Sequence, residues 1–103
     1  MWKKTKHTLG LETLIEKGRE ADPECVVCHV TGFTYVSGFS NAKATRHLGV
    51  IGCENCHGVG SLHRDNPASG FGWAGGEKAC VGCHNPDNSP NFDFSSYWDQ
   101  IKH

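Results

Sequence analysis

Aliphatic side chains are scarce in this chain, methionine is nearly absent, and no charge sign dominates. Only 37% of the 103 residues are hydrophobic, 13 are glycine, and the sole methionine is Met1. So short and glycine-rich a chain has little apolar surface to bury, and it needs a staple such as disulfides, a metal or a cofactor to hold one fold. Ten Lys and Arg face 11 Asp and Glu, for a net charge of −1. That near balance lacks the footprint of a nucleic-acid-binding protein, and Lys3, Lys4 and Lys6 make only a short basic cluster. No apolar run approaches the roughly 20 residues of a membrane-spanning helix. The opening MWKKTKHTLG has the positive end of a signal peptide without its apolar stretch, as expected of a processed or trimmed chain.

What the chain does have is cysteine and histidine in one repeated arrangement. Its six cysteines form three pairs of one spacing, each followed at once by histidine: Cys25-Val26-Val27-Cys28-His29, Cys53-Glu54-Asn55-Cys56-His57 and Cys80-Val81-Gly82-Cys83-His84. Seven histidines placed at random among 103 residues would follow all three pairs only about 3 times in 10,000. CxxCH is the pattern of c-type haem attachment. Two cysteines three positions apart lie about one helical turn apart on one face, so both sulfurs can form thioethers with the vinyl groups of one porphyrin. The next residue then offers its imidazole to the iron as the proximal ligand. Three motifs imply three haem c groups.

Other uses of six cysteines explain less. A zinc ribbon takes four ligands per site from two CxxC pairs and gives no reason for a histidine after every pair. Disulfides leave the histidines unexplained and stabilise more by joining distant segments than near neighbours. A thioredoxin-like redox pair needs a βαβ setting that the chain lacks.

Beyond the proximal His29, His57 and His84 stand His7, His47, His63 and His103. With methionine confined to the terminus, the His/Met ligation that raises haem potential is nearly excluded, and bis-histidine, low-spin, low-potential haems are expected. That leaves one histidine to spare. Two propionates per haem would move the net charge from −1 to about −4 when ferric and about −7 when ferrous, so reduction is expected to draw protons.

Along the chain, Leu11, Leu14 and Ile15 predict a short amphipathic helix from Thr8, its expected cap, to Lys17, stopped by Gly18 and laying its apolar face on a haem. Asp22-Pro23-Glu24 reads as the cap, first-turn proline and first-turn acid of a helix carrying Cys25 to His29. Val30 to Phe39 reads as a hairpin or loop whose Phe33, Tyr35 and Phe39 cover porphyrin. The Gly-rich Gly58 to Gly76 is expected to be irregular, wrapping haem edges. Glu77 to His84 reads as a second attachment helix, Asn85 to Pro90 as a turn, and Phe94 to Lys102 as a last helix capped by Asp93, with Tyr97, Trp98 and Ile101 on one face. The expected class is mostly coil with short α-helices, a small multihaem cytochrome c domain over residues 1–103 whose haems form the core.

Three stretches, DPECVVCHVTGF, GCENCHGVGSLH and CVGCHNPDNSPNFDF, resemble the multihaem cytochrome c-554 family, whose members are periplasmic or extracellular electron-transfer proteins. The Trp2 to His7 spacing followed by ETLIEKG is similar to the family segment that contributes a distal histidine. In the family that segment follows a further CxxCH motif, so the chain resembles the family's domain with three of its four haem motifs. The resemblance implies that His7 and His103 are distal ligands of the second and third haems. His47 stands where some members lack a histidine and keep an open haem on the motif matching Cys25 to His29, which implies that His47 closes that haem. His63 matches a histidine that serves the absent first haem, leaving it idle, recruited internally, or reaching a haem on another chain. The distal candidates rank His7, His103, His47, then His63.

The expected function is electron transfer, since capped irons leave no place for a substrate and haems carried by so short a chain must lie close together. Redox protein donors and acceptors are the expected partners, through small, transient contacts. One alternative is reduction of a small nitrogen compound at a five-coordinate haem. Another is a subunit of a haem-bearing assembly or filament, as a homo-oligomer or with other multihaem cytochromes. Covalent haem attachment outside the cytoplasm points to a periplasmic or extracellular location.

Overall fold

The computed structural model describes residues 2–69 and 76–103. About half of the described residues lie in short helices joined by turns, and no strand occurs among them. This is the expected class. The chain divides into two compact units, one reaching from the start of the chain to Gly52 together with His103, the other Cys53–Lys102.

In the first unit, single 3₁₀ turns over Trp2–Lys4 and Lys6–Leu9 lead into α1, Gly10–Glu16. Two long-range bonds pin this entry: the Trp2 indole donates to the Ile51 carbonyl at 2.8 Å, and the Ile51 amide donates to the His7 carbonyl at 2.9 Å. The helix begins one residue later than the Thr8 cap predicted. Leu9 occupies the cap position without a side-chain bond, and the Thr8 hydroxyl instead donates to the Thr5 carbonyl at 2.9 Å. A side-chain cap serves to satisfy amides that the helix leaves open. Here a tertiary carbonyl does that work, the Leu11 amide donating to Gly49 at 3.0 Å.

The other end of α1 follows the sequence. Gly18 takes φ 64°, its amide reaches the Ile15 carbonyl at 3.0 Å, and the Arg19 amide reaches Leu14 at 2.9 Å. These two bonds make a Schellman stop, which asks for a residue that tolerates the left-handed region. Four residues on, Asp22 caps α2, Pro23–His29, its carboxylate accepting from the Glu24 amide at 3.0 Å with Pro23 in the first turn. The Arg19 guanidinium pairs with the same carboxylate at 2.5 Å.

The tight turn lays α1 against α2. Leu11, Leu14, Val26, Val30 and Phe39 form a buried cluster, with Ile15, Cys25, Phe33, Ala42 and Leu48 packed around it. The apolar face of α1 therefore packs on protein, and Phe39 joins that core, whereas Tyr35 is exposed. Composition alone hides this small core, because it depends on two short helices pooling their few apolar positions. Val30 to Phe39 forms a loop with no strand. Thr31, buried, organises it: its amide donates to Leu48 at 2.8 Å, its hydroxyl donates to Val50 at 2.8 Å and accepts from the Gly52 amide at 3.1 Å, and its carbonyl accepts from Phe39 at 3.0 Å. A single 3₁₀ turn, Arg46–Leu48, follows, tied to α1 by the Arg46–Glu12 ion pair.

The second unit is built differently. Helix α3, Cys53–His57, gives way at Gly58 to α4, Ser61–Asp65, and a 3₁₀ turn over Pro67–Ser69. The segment expected to be irregular thus carries regular structure up to Ser69. Its glycines punctuate the chain at Gly58 and Gly60, and between Gly60 and Pro67 no glycine interrupts, so a helical turn forms. The Gly60 amide is held by the Glu54 carboxylate at 2.8 Å. The remainder of that expectation, residues 70–75, lies outside the described residues. Helix α5 covers Glu77–Val81, and the turn continues without it as the Cys83 and His84 amides donate to the Cys80 carbonyl. Helix α3 packs against α5. Helix α6, Phe94–Ile101, starts where the sequence placed it, with the Asp93 carboxylate accepting from the Ser96 amide at 3.0 Å. Among the described residues every buried hydrophobic side chain belongs to the first unit.

Two outcomes follow for the first unit. Leu11→Ala, at a position 1% exposed, is expected to lower unfolding stability by about 2–5 kcal/mol in urea denaturation. The Arg19 hydrogen bond first, and the Glu24 amide second, hold the Asp22 carboxyl below its ordinary 3.8. Its stabilisation is therefore present above that value and lost as pH falls through the lower folded-state value. Asp22→Ala should destabilise at neutral pH, with the gap to wild type closing in denaturation curves taken below pH 3.8.

Candidate cofactor-attachment sites

Each motif begins on a short helix, because a helical turn is what puts residues i and i+3 on one face. In the first, Cys25 and Cys28 lie on α2 and His29 ends it. Cys25 packs against the apolar cluster, so this motif is anchored in the first unit's core. The His29 Nδ1 lies 3.0 Å from the Gly10 carbonyl. A carbonyl can only accept, so the ring proton sits on Nδ1 and the lone pair on Nε2. That is the tautomer an imidazole needs to bind iron through Nε2. The close approach demands glycine at this position, since a Cβ on Gly10 would stand 2.1 Å from the His29 carbonyl oxygen.

In the second unit, Cys53, Cys56 and His57 all lie on α3. In the third motif Cys80 is in α5, with Cys83 and His84 in the turn beyond. Burial pushes the Cys56 thiol up, with Cys80 and then Cys53 adding to the shift. Burial, then Glu77, does the same for Cys80. The influence of Cys80 on Cys56, with the packing of α3 on α5, places the second and third motifs side by side. His84 is held on several sides. Its Nδ1 is 3.0 Å from the Ser89 hydroxyl, Phe92 stacks on the ring at 5.0 Å with planes 14° apart, and Tyr97 meets it edge-on at 5.3 Å. Burial lowers the His84 pKa, favouring the neutral ring that can ligate a metal.

The donor set fits haem better than the other chemistries. None of the six cysteines is in a disulfide, and among the described residues no three His, Cys, Asp or Glu side chains converge as a metal site. Zinc would ask for four converging protein ligands. A porphyrin brings four nitrogens of its own and asks the chain for two thiols one turn apart and an imidazole.

The four remaining histidines are divided between the units. The first holds His7, half-buried in the Lys6–Leu9 turn, exposed His47 in Arg46–Leu48, and exposed His103. The second holds half-buried His63 on α4. The sequence does not single out the Gly10 carbonyl, Ser89 or Phe92 as groups that hold a motif histidine. Ser89 lies in the run Asn85-Pro86-Asp87-Asn88-Ser89-Pro90, whose composition announces a turn and nothing about what the turn contacts.

Short helices presenting paired thiols and imidazoles define a c-type cytochrome. The family model described as cytochrome c554 and c-prime matches residues 1–58, and the chain belongs to that family. It is similar to the protein named cytochrome c-554 of Nitrosomonas europaea, 33% identical over an alignment of 85 positions that covers 67% of this chain and 36% of that protein. The chain thus spans a little over a third of the length of this curated relative. No solved structure matches it.

The close approach at Gly10 can be tested directly. Gly10→Ala forces α1 away from the end of α2 and with it the acceptor of His29, an overpacking expected to cost about 1–3 kcal/mol in urea denaturation.

Proposed function

We propose that this chain is a single trihaem electron-transfer domain over residues 1–103. Cys25 and Cys28 with His29, Cys53 and Cys56 with His57, and Cys80 and Cys83 with His84 are the thioether and proximal residues of three haem c groups. His7, His103, His47 and His63, in that order of preference, are the distal candidates, giving bis-histidine, low-spin, low-potential irons. The observation that carries this reading is the tautomer lock at His29. The Gly10 carbonyl 3.0 Å from Nδ1 fixes the ring so that Nε2 is the ligating nitrogen, beside two free thiols one helical turn apart.

Bound haem supplies a one-electron iron couple. The chain's own part is to hold and orient the imidazoles, to anchor one attachment helix on an apolar core, and to set two motifs side by side. Members of the matched family being cytochromes, redox proteins are the partners proposed, and covalent attachment favours a periplasmic or extracellular setting.

Intact mass of the matured protein is expected to exceed the polypeptide by three haems, and its reduced spectrum to be low-spin and unchanged by carbon monoxide. A mass short of three haems would overturn the count. A carbon monoxide adduct would expose an open iron and favour a reductase instead.

A further inference from the structure

His29 and His84 occupy equivalent places in their motifs, yet their Nδ1 atoms meet different oxygens. Gly10 offers His29 a backbone carbonyl, whereas Ser89 offers His84 a hydroxyl, each at 3.0 Å. The outer hydrogen bond of a ligating histidine fixes its orientation and sets its basicity, so the quality of the acceptor reaches the metal. A hydroxyl is a weaker acceptor than an amide carbonyl, and it leaves the imidazole a weaker donor.

The loop around Ser89 is built to hold that oxygen in place. Asn85 accepts from the Ser89 amide at 2.7 Å through its carbonyl and from the Asn88 amide at 3.0 Å through its side chain, and the Phe92 amide donates back to the Ser89 carbonyl at 3.0 Å. The same loop delivers Phe92 onto the face of His84, while α6 delivers Tyr97 to its edge and to Phe92, 4.9 Å away. The ring is thus held on its Nδ1 side, its face and its edge by one loop and the helix that follows. Phe92 and Tyr97 pack against the face and edge of the ring, while the Ser89 hydroxyl fixes the direction of Nδ1 and so bears on the ring's electronic character.

We propose that Ser89 is a positioning residue that orients His84 and tunes the reduction potential of the haem on Cys80 and Cys83, making it more oxidising than the haem on Cys25 and Cys28. This rests on the trihaem reading above. Acting through His84, Ser89 touches no substrate, and its effect is on the equilibrium between ferric and ferrous iron. Removing the acceptor weakens the donor strength of His84 further and favours the ferrous form.

The test is a redox titration of holo wild type, Ser89→Ala and Ser89→Thr, with the hyperfine-shifted haem methyl resonances of the ferric proteins recorded alongside. Ser89→Ala is expected to raise the ferrous-to-ferric ratio of one haem about threefold to tenfold at a fixed potential, about 28–59 mV for a one-electron couple. One set of haem methyls should move with it, and Ser89→Thr, which keeps the hydroxyl, should restore both. Unchanged potentials and methyl shifts in Ser89→Ala would overturn the proposal, as would a Thr variant displaced as far as Ala, which would mark a packing role only. If Ser89→Ala fails to mature, Ser89→Cys keeps the side-chain size with a poorer acceptor and should shift the same haem in the same direction, and no shift there overturns the inference equally. Wild type lacking haem on Cys80 and Cys83 by peptide mass would instead overturn the trihaem reading, a result separable from every outcome above.

Discussion

The constraint on which the rest of this molecule turns is the fixing of an imidazole by its outer nitrogen. A histidine that closes a helical turn can rotate about two bonds, and it becomes a defined ligand only when something holds Nδ1 and the ring plane. At His29 the holder is the Gly10 carbonyl at the start of α1, 3.0 Å away, which explains why the two helices approach so closely that only glycine fits between them. At His84 it is a serine hydroxyl with aromatic rings on two sides. The same chemical requirement is met by a helix-helix contact in one place and by a loop in the other.

These two solutions correspond to two ways of stabilising very little chain. The first unit has a core of its own, five buried apolar side chains drawn from α1, α2 and the loop after it, with Thr31 satisfying its polar atoms against the strip from Leu48 to Gly52. Burial of Leu, Val and Phe at about 1.5–3 kcal/mol each gives such a unit a basis for order in its protein part. In the second unit none of the described hydrophobic side chains is buried. Its local order comes from the Asp93-capped α6, the Asn85 turn and the ring contacts among His84, Phe92 and Tyr97. On the proposed reading two of three haems attach there, so the porphyrins supply the apolar interior where the side chains do not.

Signals carried by adjacent residues were legible in advance. Asp22-Pro23 announced the start of α2 and Asp93 that of α6, because a carboxylate next to open amides acts over two or three residues. Gly18 announced the end of α1 for a similar reason. Thr8 misled because the amide it was expected to cap is satisfied from Gly49, nearly 40 residues away. The glycines of the middle segment misled in another way: their number suggested irregularity, whereas their positions leave Ser61–Asp65 free to turn as a helix.

Membership in a cytochrome family was written in the chain, since CxxCH is a local arrangement whose geometry one helical turn guarantees and whose spacing can be read from five letters. Which oxygen faces each imidazole was not. Gly10 lies 19 residues before His29, and Ser89 sits in a turn whose composition says only that the chain bends. Hydrogen-bond partners of this kind are chosen by how separate elements pack, a matter of long-range approach that no periodicity or motif records. The tertiary structure alone decided it.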